Sequence, residues 1–151
     1  MTAGTRVLGV DFGSVRIGLA VSDADRKIAS PLATYQRRNP EADGRYFREL
    51  VEQEAIGQIV VGLPVHLDGR EGRKAAEARS FGRWLGEQTG LPIVFFDERF
   101  TTVEAESALW SAGLTHRRRK ARRDRVAAQM MLQAFLDAGC PERAVPRGLD
   151  E

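Results

Sequence analysis

Three short apolar runs, separated by polar turns, open the chain. They span Val7–Phe12, Arg16–Ser22 and Ile28–Tyr35, and Gly13–Ser14 supplies a tight turn between the first two. Apolar residues alternate with small or polar ones in the second run, as they do in a strand that buries one face. The pattern predicts three strands in an antiparallel meander.

After this meander the spacing of the apolar residues changes to three and four, which indicates a helix. Asn39 is a good N-cap, and Pro40 suits the first helical position. Gly57 is expected to end this helix. Two continuous apolar runs, Ile59–Leu63 and Pro92–Phe96, have the composition of strands that are buried on both faces.

Helical periodicity accounts for most of the remaining sequence. Ala75–Gln88 predicts one helix, and Thr101 with Glu104 has the capping-box spacing of another that runs to about Gly113. A final helix is expected over about residues 119–138. The order of elements predicts an α/β fold with a mixed five-stranded sheet, in which the antiparallel meander is followed by parallel crossover strands, flanked by helices.

Length and composition narrow the class of protein. The 151 residues correspond to about one domain, and we expect an ordered core over about residues 6–140. Hydrophobic residues make up 42% and charged residues 29%, which excludes a disordered or fibrous chain. No apolar run has the length of a membrane span and no signal peptide is evident, so we expect a cytoplasmic protein without a membrane partner. A single cysteine, Cys140, excludes an intramolecular disulfide and a cluster of zinc-binding cysteines.

Positive charge is concentrated in one segment. The net charge is +2, but residues 116–125 hold seven arginines and lysines and one aspartate, so the rest of the chain is acidic. This distribution predicts a polyanionic partner, such as a nucleic acid, that is bound at one place. A solvated loop is the alternative interpretation. The residues expected to contact the substrate there are Arg117, Arg118, Arg119, Lys120, Arg122 and Arg123.

Acidic residues end two of the predicted strands. Asp11 ends the first strand, and Asp97 and Glu98 end the fifth. If the first, fourth and fifth strands are parallel, these carboxylates meet at the carboxyl edge of the sheet, where open α/β folds place their sites. Both faces of the fifth strand are apolar, so alternation does not decide between Asp97 and Glu98.

Asp124 lies on the apolar side of the last predicted helix, at offsets of three and four from Ala127 and Ala128. A carboxylate that faces the core is costly unless it is paired, hydrogen-bonded or bound to a metal. The alternative to a metal-binding role is a structural salt bridge to an arginine such as Arg16 or Arg99. Carboxylates that converge from distant segments suit hard divalent cations, and two such ions can promote hydrolysis of a phosphodiester.

Several short motifs extend over about residues 6 to 138. They are Val10–Gly13, Arg16–Gly18 with Ala20, Val61–Pro64, Asp68–Gly69, Asp97–Arg99 with Thr101–Thr102 and Ala105, and Asp124 with Ala127–Ala128. In this order they resemble the YqgF/RuvX family of bacterial RNase H-like proteins, which is related to the RuvC resolvases. The combination is far more specific than any one motif.

The resemblance implies a single RNase H-like nuclease domain over residues 1–151 that hydrolyses phosphodiester bonds. It implies Asp11, Glu98 and Asp124 as the catalytic residues and as the ligands of two Mg²⁺ or Mn²⁺ ions, and it leaves Asp97 as a substitute ligand. Further substrate contacts are expected from Arg16, Arg99 and Thr101.

Members of this family are assigned to processing of the 5′ end of pre-16S ribosomal RNA, so RNA and pre-ribosomal particles are the favoured partners. Some members are described as Holliday junction resolvases, which makes structured DNA the alternative substrate. A resolvase needs a two-fold dimer, whereas RNA trimming can use a monomer. A non-catalytic nucleic-acid-binding module for ribosome assembly is the alternative of a different class. Asp11–Ser14 also resembles the first phosphate loop of sugar kinases, but no second phosphate loop is present.

Overall fold

The computed structural model describes residues 4–65, 68–98 and 116–141, with side chains from residue 122 onward in the last range. Within these ranges the strands are β1 (Arg6–Asp11), β2 (Arg16–Ser22), β3 (Ala29–Gln36), β4 (Ile56–Leu63) and β5 (Ile93–Asp97). The helices are α1 (Pro40–Gln53), α2 (Arg73–Thr89) and α3 (His116–Asp137). The helix predicted from Thr101 to Gly113 lies outside the described residues.

A mixed sheet organises the described part of the chain. Its strand order is β3-β2-β1-β4-β5. β2 is antiparallel to both β1 and β3, whereas β4 is parallel to both β1 and β5. The predicted meander with parallel crossover strands is therefore confirmed. Because β1, β4 and β5 are parallel, their carboxyl ends lie along one edge of the sheet.

Helices cover both faces of the sheet. On one face, α1 and α2 pack over a core that includes Leu8, Val61, Phe47 and Leu85. On the other face, α3 packs over a second cluster that includes Phe135. Successive side chains of a strand point to opposite faces, so neighbouring residues of the central strands belong to different clusters.

Glycines let α3 lie close to the sheet. A Cβ atom on Gly9 would lie 2.8 Å from the Cβ of Leu132, and a Cβ on Gly18 would overlap with the backbone carbonyl of Asp124. A larger side chain at either position would push the helix away from the sheet. Gly18 is also paired with Asp11 in the register of β1 and β2, so the same contact brings Asp124 close to Asp11.

The predicted end of α1 at Gly57 is wrong. The helix ends at Gln53, and Ala55 turns the chain with a left-handed φ of 54°. Gly57 lies within β4, where a Cβ would overlap with the carbonyl oxygen of Gly4. Gly57 therefore allows two backbone segments to pack closely. The turn after the helix is made by Ala55, which adopts the left-handed conformation.

Other observed helix ends agree more closely with those predicted from the sequence. The Asn39 side chain accepts a hydrogen bond from the Ala42 backbone N–H at 2.8 Å, as an N-cap does. α3 begins at His116, three residues before the predicted start, and it ends shortly before Gly139, which has a φ of 86°. None of the helices in the described ranges is long and apolar enough to cross a membrane.

Candidate active site

Three carboxylates lie at the carboxyl edge of the sheet, on the side covered by α3. Asp11 is the last residue of β1, Glu98 directly follows β5, and Asp124 belongs to α3. Glu98 continues the alternation of Val94 and Phe96, which pack in the same cluster as α3. The structure thus brings together the three carboxylates that the family resemblance implied.

Asp11 and Glu98 are hydrogen-bonded to each other through their side chains. Burial raises the pKa of Asp11 well above its usual range, and the neighbouring charge of Glu98, the hydrogen bond to Glu98 and the charge of Asp124 raise this pKa further. Two carboxyl groups can share a hydrogen bond only if one of them carries a proton. The pair therefore holds a proton on Asp11 at a pH where an exposed aspartate is ionised.

The contact between Asp11 and Glu98 depends on a glycine in the strand between them. Gly62 lies in β4, which separates β1 from β5. A Cβ atom on Gly62 would overlap with the carboxylate of Glu98. The missing side chain therefore leaves the space through which the longer Glu98 side chain reaches toward Asp11.

Asp97 lies on the opposite face of the sheet from Glu98. It is paired with Leu63, which belongs to the core beneath α1 and α2, and it is fully buried. Two hydrogen bonds of 2.7 Å from Arg79 of α2 hold the pKa of Glu71 below its usual range, and the charge of Asp97 opposes that effect. The structure therefore places Glu98, and not Asp97, beside Asp11.

Asp124 is paired with Arg16. The Arg16 Nε donates a hydrogen bond of 2.8 Å to the Asp124 Oδ2, and the side chains are 32% and 21% exposed. The ion pair weighed as the alternative for Asp124 is thus present, with Arg16 as the partner. It does not displace Asp124 from the site, because the charge of Asp124 still acts on Asp11.

The donor set suits a hard divalent cation, although the side chains are not arranged around one. Within the described ranges, no group of three acidic, histidine or cysteine side chains is set to hold a metal ion. The contacts give the reason, since Asp11 shares a proton with Glu98 while Asp124 is turned to Arg16. All three donors are carboxylates, and a cation would relieve the negative charge crowded around Asp11.

Glu98 and Asp124 line an open cleft of about 470 Å³, here called the carboxylate cleft. Arg16 also lines this cleft, and so do Lys74 and Glu77 of α2. The hairpin between β1 and β2 and Pro64 complete it. Two of the three clustered carboxylates and two cationic side chains thus border one open cleft.

The sequence argument missed Lys74 and Glu77. One signal could have found them: a helix that follows a parallel strand begins at the carboxyl edge, where that strand ends. Lys74 lies in the first turn of α2, directly after β4 and its connection. Lys74 therefore adds a cation to the lining of the carboxylate cleft.

The basic segment begins α3. Arg122 and Arg123 are exposed, while Arg117–Lys120 belong to the helix and their side chains lie outside the described part. Arg99 and Thr101 also fall outside the described ranges. Of the predicted substrate contacts, Arg16 is the one that lines the carboxylate cleft among the described side chains.

Comparison with known proteins agrees with this geometry. A model of the RuvX family, described as Holliday junction resolvase, matches residues 5–138. A protein of Rhodopirellula baltica is 48% identical over 133 residues, which cover 88% of this chain and 77% of that protein. A protein of Koribacter versatilis is 41% identical over 93% of this chain and 92% of that protein. Both are named "Putative pre-16S rRNA nuclease".

A solved structure shares the fold. Thermus thermophilus RuvC in complex with a Holliday junction substrate superposes with a TM-score of 0.57 and covers 94% of this chain and 99% of the RuvC chain. The sequences are 13% identical, so this likeness concerns the fold alone. It identifies the mixed sheet and its helices as RNase H-like.

Proposed function

Because the chain belongs to the RuvX family, we propose that it is a nuclease that hydrolyses phosphodiester bonds, with divalent metal ions held by Asp11, Glu98 and Asp124. The observation that carries this proposal is the gathering of these carboxylates at the carboxyl edge of the sheet, where Glu98 and Asp124 line an open cleft and Asp11 contacts Glu98. When bound there, Mg²⁺ or Mn²⁺ would neutralise phosphate charge and activate water for attack on phosphorus.

Residues of the chain have separate tasks in this reaction. Asp11 must lose the proton that it shares with Glu98 before both carboxylates can accept a cation. Arg16 orients Asp124 through Nε, which leaves its other guanidinium N–H groups for a phosphate oxygen. Lys74 lines the same cleft and can contact the same strand as a point charge. Together these cations offset the repulsion between the carboxylates and the nucleic-acid backbone.

RNA is the favoured substrate, and we propose the 5′ end of pre-16S ribosomal RNA, the molecule in the names of the relatives. Action on this precursor would place the protein in the cytoplasm and in contact with pre-ribosomal particles. A Holliday junction is the second candidate because the family model carries that description. The two differ in assembly, since paired cuts in a junction need a two-fold dimer while trimming of RNA can use a monomer.

The test is cleavage of matched RNA, single-stranded DNA and four-way junction substrates with Mg²⁺ or Mn²⁺. We expect metal-dependent cleavage that is greatest on RNA and that falls by several orders of magnitude in Asp11→Asn. Asp25→Asn is the matched control, because Asp25 is exposed in the connection between β2 and β3. The proposal fails if the wild-type protein cleaves none of the three substrates, or if Asp11→Asn cleaves as well as Asp25→Asn does.

A further inference from the structure

A second cleft lies beside the carboxylate cleft, on the face of the sheet covered by α1 and α2. It has a volume of about 380 Å³, and we call it the aromatic cleft. Phe12, Ser14 and Glu77 line both clefts. Phe12 directly follows Asp11 and points to the opposite face, so the two clefts adjoin at the carboxyl end of β1.

Aromatic rings in tilted contact with one another line this cleft. The ring centroids of Phe12 and Phe81 are 4.8 Å apart, and those of Phe81 and Trp84 are 5.4 Å apart. Phe81 is buried, whereas Trp84 is only partly buried. Trp84 packs against the core beneath α1 and α2, yet it also lines the open cleft. An aromatic surface of this kind can stack with a planar ligand.

A cation lies over the same rings. The guanidinium carbon of Arg37 is 5.2 Å from the centroid of Phe12 and 5.6 Å from that of Phe81. Its Nε lies 3.8 Å from a carboxylate oxygen of Asp43, which is buried. The other carboxylate oxygen of Asp43 accepts hydrogen bonds from the Tyr35 hydroxyl at 2.6 Å and from a backbone N–H at 3.0 Å. Asp43 is thus fixed by its hydrogen bonds, and its negative charge holds the Arg37 guanidinium beside the aromatic rings.

We propose that the aromatic cleft binds one unpaired base of the substrate strand, with the base stacked on Trp84 and Arg37 beside the adjoining phosphate. This inference rests on the proposed nuclease function and narrows its substrate class to strands with an unpaired nucleotide next to the cleaved bond. Stacking requires a free base face, which a base inside a duplex does not offer. The residues shared with the carboxylate cleft argue for the substrate strand itself, rather than a peptide, as the occupant.

The first test is binding of single-stranded oligoribonucleotides in EDTA, where cleavage does not interfere. Trp84→Ala should weaken binding about 5- to 150-fold, the range that corresponds to ~1–3 kcal/mol of stacking per base. Trp84→Phe should recover most of the affinity, because it restores an aromatic face. Ile28→Ala is the matched control: Ile28 is 64% exposed and lies at the opposite end of the sheet, so its removal should leave affinity unchanged.

A second readout identifies the base itself. A set of oligonucleotides with one abasic position each should contain one that binds the wild-type protein as weakly as Trp84→Ala binds the intact strand. Combining that abasic strand with Trp84→Ala should produce no further loss, because both changes remove the same stacking contact. In a Trp110→Phe background, Trp84 is the remaining tryptophan of the chain, and its fluorescence should be quenched by the intact strand but not by the abasic one.

The outcomes separate this inference from the proposed function. If Trp84→Ala is folded by circular dichroism and binds RNA like Ile28→Ala, the inference is wrong, whatever the cleavage result. Additive losses from the abasic position and Trp84→Ala also contradict it. If the abasic and Trp84→Ala losses coincide but no substrate is cleaved with metal, the chain binds single strands at this cleft and the proposed nuclease function fails.

Discussion

The proton held by Asp11 links the stability of the metal-free protein to pH. Because the pKa of Asp11 is raised in the folded state, its contribution to stability is fully present below the pKa of an unfolded aspartate. That contribution is lost as the pH rises through the folded-state pKa. Above the folded-state pKa, ionisation of Asp11 leaves two adjacent negative charges that destabilise the fold.

Asp11→Asn should remove this dependence. We expect the variant in EDTA to melt at a higher temperature than the wild type at pH 7 to 8, and the difference to shrink as the pH falls toward 4. The measurement is the melting temperature of both proteins across this range, with Asp25→Asn as the exposed control. Parallel pH profiles for Asp11→Asn and the wild type would show that Asp11 is an ordinary ionised aspartate.

Gly62 is the second residue whose effect can be predicted from its surroundings. In Gly62→Ala the new methyl group would overlap with the Glu98 carboxylate, so Glu98 must leave Asp11. We expect cleavage to fall about 100-fold, as it does when a reacting group is misplaced by about 1 Å. The loss of stability should be small, because the group that moves is the end of the flexible Glu98 side chain. Gly86→Ala, at a helical glycine near Ile93, is the matched control. Equal cleavage by the two variants would mean that Glu98 need not lie beside Asp11.

At the scale of elements, the sequence predicted the strands and their order well because their apolar runs are short and bounded by turn residues. It did not predict the end of α1, since the pattern cannot distinguish a glycine that ends a helix from one that packs against a backbone. It left Asp97 and Glu98 undecided because helices cover both faces of β5. The choice depends on which face α3 covers, and that information is in the tertiary packing.

The basic residues at the start of α3 are predicted to contribute to substrate affinity. Replacing Arg117, Arg118 and Arg119 with alanine should weaken nucleic-acid binding for all sequences alike. Each lost phosphate contact reduces the slope of log affinity against log salt concentration by about 0.7 on single strands. Loss of all three contacts should therefore flatten the slope by up to about 2 units. The rate at saturating substrate should change far less, because lost uniform binding raises KM.

Replacement of Arg45 and Arg83, which are exposed on α1 and α2, controls for the loss of positive charge as such. This variant should retain the wild-type slope. If the triple variant also retains that slope, the arginines do not contact phosphate, and the segment is a solvated part of the helix.

At the scale of the whole molecule, metal binding distinguishes a nuclease from a non-catalytic module on the same fold. At a metal concentration of 100 times Kd, a ligand that binds only the folded state adds ~2.7 kcal/mol of stability. For a chain of this size, that corresponds to a rise in melting temperature of roughly 5–10 °C. We expect Mg²⁺ or Mn²⁺ to produce this rise in the wild type and in Asp25→Asn, but not in Asp11→Asn. No shift in the wild type would favour the non-catalytic module.

The packing of α3 has a consequence for when activity arises. Arg16 and Asp124 are 108 residues apart along the chain, whereas the core beneath α1 and α2 is built from residues 8–85. A chain that emerges from the ribosome from its N-terminus can therefore form that core and the sheet edge with Asp11 before Asp124 has been synthesised. The last carboxylate arrives with the helix that covers the other face. If Asp124 is a metal ligand as we propose, a nascent chain has an incomplete site until this helix has been synthesised, and it cannot cleave RNA before then.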